Sequence, residues 1–365
     1  MIKVGIIGCG YISRKHIDTI CQLETVDLLA VSDVQPKRME EIIDCYRDKI
    51  KRTCTVKKYP DYRDLILDSE VDMIIISVIS GLHADIAKEA LIEGKHIIIE
   101  KPLALSIREA DEIIQLSETS KSKVLVCHQL RYRPLISKIK EILDSGDLGV
   151  PLMGSVSARI NRSADYYNAA RWRGSWKEDG GMLVNQGIHI IDILVWLLGD
   201  IETVYGEISK RQSSVEKETE DIAAGIIHFS NQAKGVIDVN TITQPRNQGY
   251  SISLFCEKGS IIIGGSSLER LEHCYIEDNE DLVNDLYDLC DTRDEHLRMY
   301  QNFTDAILKD TPLIMDAVEG KKALETIFSL YESSVRKRPI HLPLLNFSTT
   351  DMLQFPINEE IRHDT

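Results

Sequence analysis

Within the stretch GGMLVNQGIHIIDILVWLLGD, residues 180–200, Asn185, His189 and Asp192 interrupt an apolar run at intervals of four and three. The apolar positions recur as on a helix with one face in a core. The pattern therefore predicts a helix from Met182 to Leu198 with the three polar side chains on roughly one face. A buried polar group costs about 1–3 kcal/mol unless it is hydrogen-bonded, so such a stripe requires partners, either protein groups or a ligand. An imidazole with an ordinary pKa of about 6.5 exchanges protons near neutral pH, and an amide one turn before it can orient a hydroxyl. On this helix alone a structural histidine is the stronger reading. The case for catalysis has to come from elsewhere in the chain.

A second set of candidates begins at GIIGCGYIS, residues 5–13. Gly8 and Gly10 fit a G-x-G-x-x-G turn between a strand and a helix. The first glycine allows the tight turn, and the second lets a pyrophosphate reach backbone N–H groups at the helix start. Tyr11 and Ile12 complete the turn, and Ser13 stands where a third glycine or alanine is usual. Asp33, at the end of LLAVSD and about 20 residues on, would accept from a ribose 2′-hydroxyl and repel a 2′-phosphate. NAD is therefore expected, with Lys37 and Arg38 as the residues an NADP phosphate would use. Ser80 and His83 follow the fourth strand, and Glu100, Lys101 and Pro102 end the next, where the carboxyl ends of parallel strands line a ligand crevice. His16 and His83 begin helices there and read better as helix-end histidines than as catalytic ones.

The elements that must position these residues fall into two groups. From residue 2 to 126 short apolar runs (KVGIIG, LLAVSD, DMIIISV, HIIIEKP) alternate with helical patterns near 11–23, 36–50, 83–93 and 107–119, and KVLVCHQ adds a last strand. Strands apolar throughout, separated by helices, imply a parallel sheet covered on both faces, a doubly wound Rossmann arrangement. Beyond about 150 come longer, partly alternating strands joined by short turns such as SNQ and EKG, which favours antiparallel neighbours. The expected fold is α/β plus α+β: a dinucleotide-binding domain at 1–127, a substrate-binding and oligomerisation domain with an open, largely antiparallel sheet at 128–345, closed by helices near 294–309 and 316–336, and a tail at 346–365. Gln129 and Arg131 are expected to face the junction between the domains.

Composition excludes several classes. With 365 residues, 43% hydrophobic and 28% charged, the chain reads as a soluble globular protein long enough for two cores. A net charge of −15 without a long basic run argues against nucleic acid or an anionic membrane as partner. No apolar segment reaches the roughly 18 residues of a membrane span, and MIKVGIIGCG enters a strand without a signal-peptide pattern, so a cytoplasmic location is expected. The eight cysteines are scattered without metal-type spacing, which favours free thiols and no metal.

The ordered set GIIGCGYIS, LHADIAKEALIEGKHIIIEKPLA, RYRP, WRGSW, GGMLVNQGIHIIDILVWLLG, HLRMYQNFTDAI and LIMDAVEGKKALETI, spanning about 2–338, resembles the Gfo/Idh/MocA family, the glucose–fructose oxidoreductase and inositol dehydrogenase group. The resemblance implies a nicotinamide dinucleotide and reversible oxidation of a secondary hydroxyl on a sugar, sugar nucleotide or cyclic polyol. It places Lys101 and His189 by the nicotinamide and substrate. Many members carry Asp four residues before that histidine, and an Asn where Ser80 stands. Here the earlier position is Asn185, which cannot act as a base. Members with NQGIH include enzymes similar to UDP-N-acetylglucosaminuronate 3-dehydrogenases and others that oxidise ring position 3 of glycosides.

On this reading His189 is the base, Lys101 stabilises developing alkoxide or shares the proton, and Asn185 orients the sugar. Asp192 either fixes the imidazole or, as the favoured reading, makes a packing contact. Arg171, Trp172 and Arg173 suit a substrate carboxylate or phosphate and a sugar face, or equally a lattice that packs their loop. The alternatives are a non-catalytic NAD-binding sugar sensor, which would not need a proton-transfer pair, and glycoside cleavage through transient 3-keto oxidation. An open sheet face left apolar predicts a homodimer or homotetramer.

Overall fold

Six strands, β1 (Ile2–Ile7), β2 (Val26–Ser32), β3 (Lys57–Tyr59), β4 (Met73–Ile76), β5 (His96–Ile99) and β6 (Val124–Val126), form a parallel sheet in the order β3-β2-β1-β4-β5-β6. Met73–Ile76 and Ile97–Ile99 are fully buried, as runs of unbroken Met and Ile require when helices cover both faces. The strand order reverses between β1 and β4, and the glycine turn follows β1 at that switch point. β3 lies in a stretch that reads only as charged. It is a three-residue edge strand whose Lys57 pairs with Asp68 and Glu70, so it carries no apolar periodicity to detect.

The computed structural model describes residues 1–51, 54–211, 217–355 and 357. It divides into two compact units, Met1–Gln129 with Glu295–Lys321, and Leu130–Asp294 with Lys322–Thr365. The expectation of one unbroken second domain from 128 to 345 thus differs from the structure: the helix Glu295–Lys309 belongs to the first unit. Its Met299, Tyr300 and Phe303 are fully buried, Tyr300 against His16, and Val126 N–H reaches Met315 O. Helical periodicity announces that a face will be buried, not which sheet will bury it.

The second unit holds β7 (Pro151–Arg159), β8 (Ile201–Ser209), β9 (Ile222–Phe229), β10 (Lys234–Asn240), β11 (Gly249–Cys256), β12 (Gly259–Gly265), β13 (Arg270–Ile276) and β14 (Ile340–His341), ordered β13-β12-β11-β7-β10-β9-β8-β14. All neighbours are antiparallel except β7 and β10. One face is buried beneath the helix Ile188–Leu198, whose Leu194 and Leu198 lie against Gly154. On the other face a row crosses six strands through Tyr205, Ile226, Val236, Ser155, Ser253 and Ile262, none of them buried in this chain.

The first part of the tail packs within this unit. Phe347 lies against Phe328, and Thr349 Oγ1 donates to Trp176 O at 2.6 Å. Positions 356 and 358–365 of the expected tail lie outside the described residues. Among the described residues no helix is long and apolar enough to cross a membrane.

Candidate active site

The glycine turn of the first unit is shaped for a dinucleotide. Gly8 has φ +94°, and a Cβ there would sit 2.6 Å from Ser77 O, so only glycine fits. A Cβ on Gly10 would meet nothing within 4 Å, leaving that side of the turn open to a close-approaching group. Ser13, in place of the third small residue, is buried and closes the turn by donating to Gly10 O at 2.6 Å. Asp33 is fixed at the end of β2, one oxygen accepting from Cys9 N and the other from Gln35 N, both at 2.8 Å. This links Asp33 to the turn itself.

These residues fit NAD: the Gly8–Ile12 turn and the start of the helix Ser13–Ile20 for the pyrophosphate, Asp33 for the ribose. Tyr11 is almost wholly exposed, Ile12 caps that helix, Ser80 opens the short Ser80–Leu82 turn, and Arg38 is exposed in the first turn of the helix Pro36–Ile50.

Behind Lys101 lies a buried polar cluster that sequence reasoning did not assemble. Glu100 Oε1 is 3.1 Å from His16 Nε2, and His16 Nδ1 is 2.7 Å from the Tyr300 hydroxyl. Glu100 Oε2 accepts from Lys101 N–H at 3.3 Å. Burial alone would raise the Glu100 carboxyl, but the hydrogen bond and charge of His16, with Lys101 and His296 beyond, hold it down at about 2. Burial pushes the Cys127 thiol and the Tyr300 hydroxyl well up.

His16, Glu100 and Cys127 bring ligand-type atoms within 4.8 Å of one another, a grouping the scattered cysteine spacing did not suggest. Both ring nitrogens of His16 are engaged, so the cluster reads as a hydrogen-bond network rather than a metal site. His83, expected at the cofactor, is buried instead, its ring between Pro102 O (2.7 Å) and Val78 O (3.1 Å). It braces the loop after Lys101, and burial lowers its pKa.

In the second unit the expected regular helix begins with a π turn, Leu183–Gly187, before the α-helix Ile188–Leu198. The anticipated stripe separates into distinct environments, Asn185 bonded to Asp179 and Asp192 to Arg131. Asn185 Nδ2 donates to Asp179 Oδ1 at 2.6 Å. Asp192 is fully buried and takes a bidentate pair from Arg131, Nε to Oδ2 at 2.9 Å and Nη2 to Oδ1 at 2.7 Å. The packing reading of Asp192 thus acquires a named partner, and Arg131, expected to face the junction between the domains, is fully buried against the Trp196 ring. His189 is half-buried on the same helix.

The entry to the π turn is tied down by Glu220, which accepts from Leu183 N at 2.8 Å and from the Tyr331 hydroxyl at 2.6 Å. Gly181 (φ +103°) passes so close to Tyr331, Glu220 and Trp176 that no side chain fits.

In the preceding loop, Arg173 donates to Tyr166 O at 2.7 Å and stacks on the Tyr166 and Trp172 rings, so of the two readings its contacts match the lattice. Arg171 is exposed and Trp172 half-buried. Glu220, Tyr300 and Tyr331 were missed because their partners are distant in sequence, whereas Asp179 has its partners, Gly174 and Asn185, close by in the chain. For Asp179 the one local signal is an acid before two glycines at a helix entry, which reads as an ordinary turn.

Residues 2–128 match a family model described as an oxidoreductase family with an NAD-binding Rossmann fold, and residues 136–262 match the GFO/IDH/MocA C-terminal domain. An inositol 2-dehydrogenase of Salmonella paratyphi B is 30% identical over 253 residues, covering 69% of this chain and 70% of that protein. The WlbA dehydrogenase of Chromobacterium violaceum, solved with NADH and UDP-GlcNAcA, is similar over 94% of this chain and 96% of its own, with a TM-score of 0.86 and 26% identity. Its counterpart from Bordetella pertussis, solved with the same ligands, gives 0.85 and 27% over 94% and 98%.

Proposed function

Because the chain belongs to the GFO/IDH/MocA oxidoreductase family and carries its NAD-binding Rossmann domain, we propose that it reversibly oxidises a secondary hydroxyl, at ring position 3, of a pyranose sugar, glycoside or sugar nucleotide. Bound NAD supplies the hydride acceptor. His189 takes the hydroxyl proton at a ring nitrogen, a role suited to an imidazole near neutral pH. Lys101 donates to the same oxygen and stabilises negative charge as it develops there. Asn185 has no basic atom, so it binds a neighbouring hydroxyl and leaves the proton chemistry to the other two.

The observation that carries this reading is likeness over nearly the whole chain to dehydrogenases solved with NADH and UDP-GlcNAcA, in a sequence that keeps both Lys101 and His189. The uncovered row on the eight-stranded sheet supports a second copy of this chain as its partner. Sedimentation at micromolar concentration is expected to give a dimer or tetramer, and a monomer would refute that assembly.

The test is turnover. Purified protein with NAD and a panel of UDP-GlcNAcA, inositols and simple glucosides should generate NADH absorbance with at least one sugar. Lys101→Met should lower kcat by about 10³-fold with NAD affinity unchanged. Tight NAD binding with no reaction across the panel would favour a sensor, and release of an aglycone would favour cleavage.

A further inference from the structure

Asp179 is 3% exposed and joins two parts of the second unit with its two carboxylate oxygens. Oδ2 accepts from Gly174 N–H at 2.8 Å, within the loop that carries Arg171–Arg173, and Oδ1 accepts from Asn185 Nδ2 at 2.6 Å. The loop doubles back to make this happen: Asp179 N and Gly180 N both donate to Ser175 O, at 2.9 and 3.1 Å. An ionised carboxylate can only accept, so chemistry fixes which end of the planar Asn185 amide faces it: the NH₂ end. The opposite orientation would set two acceptor oxygens against each other.

We propose that Asp179 is a positioning residue that locks the Asn185 amide with its carbonyl oxygen as the group offered to ligand. The candidate site accordingly selects a sugar hydroxyl that donates a hydrogen bond at this position, in preference to an ether or a carbonyl. This rests on the proposed sugar oxidation and specifies what Asn185 does in it. Asp179 acts through Asn185, and the turn beneath both is held separately by Glu220 and Tyr331, so Asp179 can be changed without removing that anchor. The charged groups around this loop and turn include Arg171, Arg173, Lys177 and Glu178 on the loop itself, Glu218 accepting from Trp176 N, Lys217 packed against Gly174 and paired with Asp221, Glu220 at Leu183 N, and Arg162 bonded to Gln186.

Exchange of the two residues tests the assignment. Asp179→Asn frees the amide to turn over, and is expected to raise KM for the sugar about tenfold while KM for NAD stays put. Asn185→Asp sets two carboxylates at bonding distance. They can be accommodated only by sharing a proton, so the melting temperature of this variant, read without sugar, should rise as pH falls below neutrality, unlike wild type. The double variant D179N/N185D restores a carboxylate–amide bond and still presents an acceptor to the ligand, so KM should return to within about threefold of wild type.

If Asn185 instead donates to the sugar, the double variant cannot recover, because a carboxylate cannot donate; a KM as poor as the worse single variant overturns the proposal. A melting temperature of Asn185→Asp that tracks wild type with pH overturns the pairing itself. UDP-GlcNAcA is the first sugar used, followed by the remaining panel. Silence of the wild-type protein on all of them, with the pH-dependent melting intact, would sink the sugar oxidation, and the ligand role of Asn185 with it, while leaving the pair in place.

Discussion

Glu100 in the first unit and Glu220 in the second are both buried glutamates beside a tyrosine-linked network, yet their carboxyls move in opposite directions. Burial is the largest influence on each, and by itself it raises both. At Glu100 the positive neighbours His16, Lys101 and His296 outweigh it and hold the group at about 2. At Glu220 the Tyr331 hydroxyl, the Leu183 N–H and Lys217 oppose burial without overcoming it, so the carboxyl stays above its ordinary range. Burial does not decide the charge of such a group; the sign of its neighbours does. The first unit therefore keeps a fixed negative charge next to Lys101, whereas the second anchors its π turn with a group that resists ionising.

Changing each carboxylate to its amide should break the symmetry most. Glu100→Gln removes the charge that His16 and Lys101 face, and is expected to cost about 2–3 kcal/mol in urea unfolding of the first unit. Glu220→Gln keeps an acceptor for Leu183 N and Tyr331, and should cost about 1 kcal/mol or less. Equal losses would contradict the difference drawn here.

Acid should separate the two units as well. A carboxyl held below its ordinary value stabilises the fold above the unfolded value and loses that contribution as pH falls through the folded one. Glu100 thus weakens the first unit between 4.5 and about 2. His83, His96 and His296 sit in the same unit with pKa values pushed down by burial, so the unfolded chain binds more protons below 6.5 and stability falls there too. Glu220, raised, has the opposite sign: its contribution is greatest at low pH and is lost as pH rises through its folded value. Peptide-resolved hydrogen exchange from pH 7 down to 4 should show residues 1–129 opening before residues 217–294. The reverse order would refute the assignment.

The smallest effect is expected on the surface. Lys3 and Glu70, both about half exposed, should contribute little to stability, and added salt should remove that little.

The same contrast explains what was legible beforehand. In the first unit, Gly8, Gly10, Asp33 and Lys101 sit at strand ends, where a short motif and its flanking pattern report both the turn and the crevice. Even there Tyr300, about 200 residues beyond Glu100, left no local trace. In the second unit the polar groups meet through long-range partners: Leu183 with Glu220, Glu220 with Tyr331, Arg131 with Asp192. The period of NQGIHIID predicts an α-helix, and a π turn has no distinct apolar signature, so the π turn could not be read from spacing. The buried pair that Asp192 makes with Arg131 joins residues 61 apart, and nothing in the neighbourhood of Asp192 named that partner.

The central claim, hydride transfer from ring position 3 to NAD, is tested most directly by isotope. A substrate from the panel deuterated at carbon 3 should yield NADH carrying the deuterium, and a product with a ketone at that carbon from which both the deuterium and the hydroxyl proton are gone. Deuterium retained on the sugar while NADH forms would place the oxidation at another position and contradict the account.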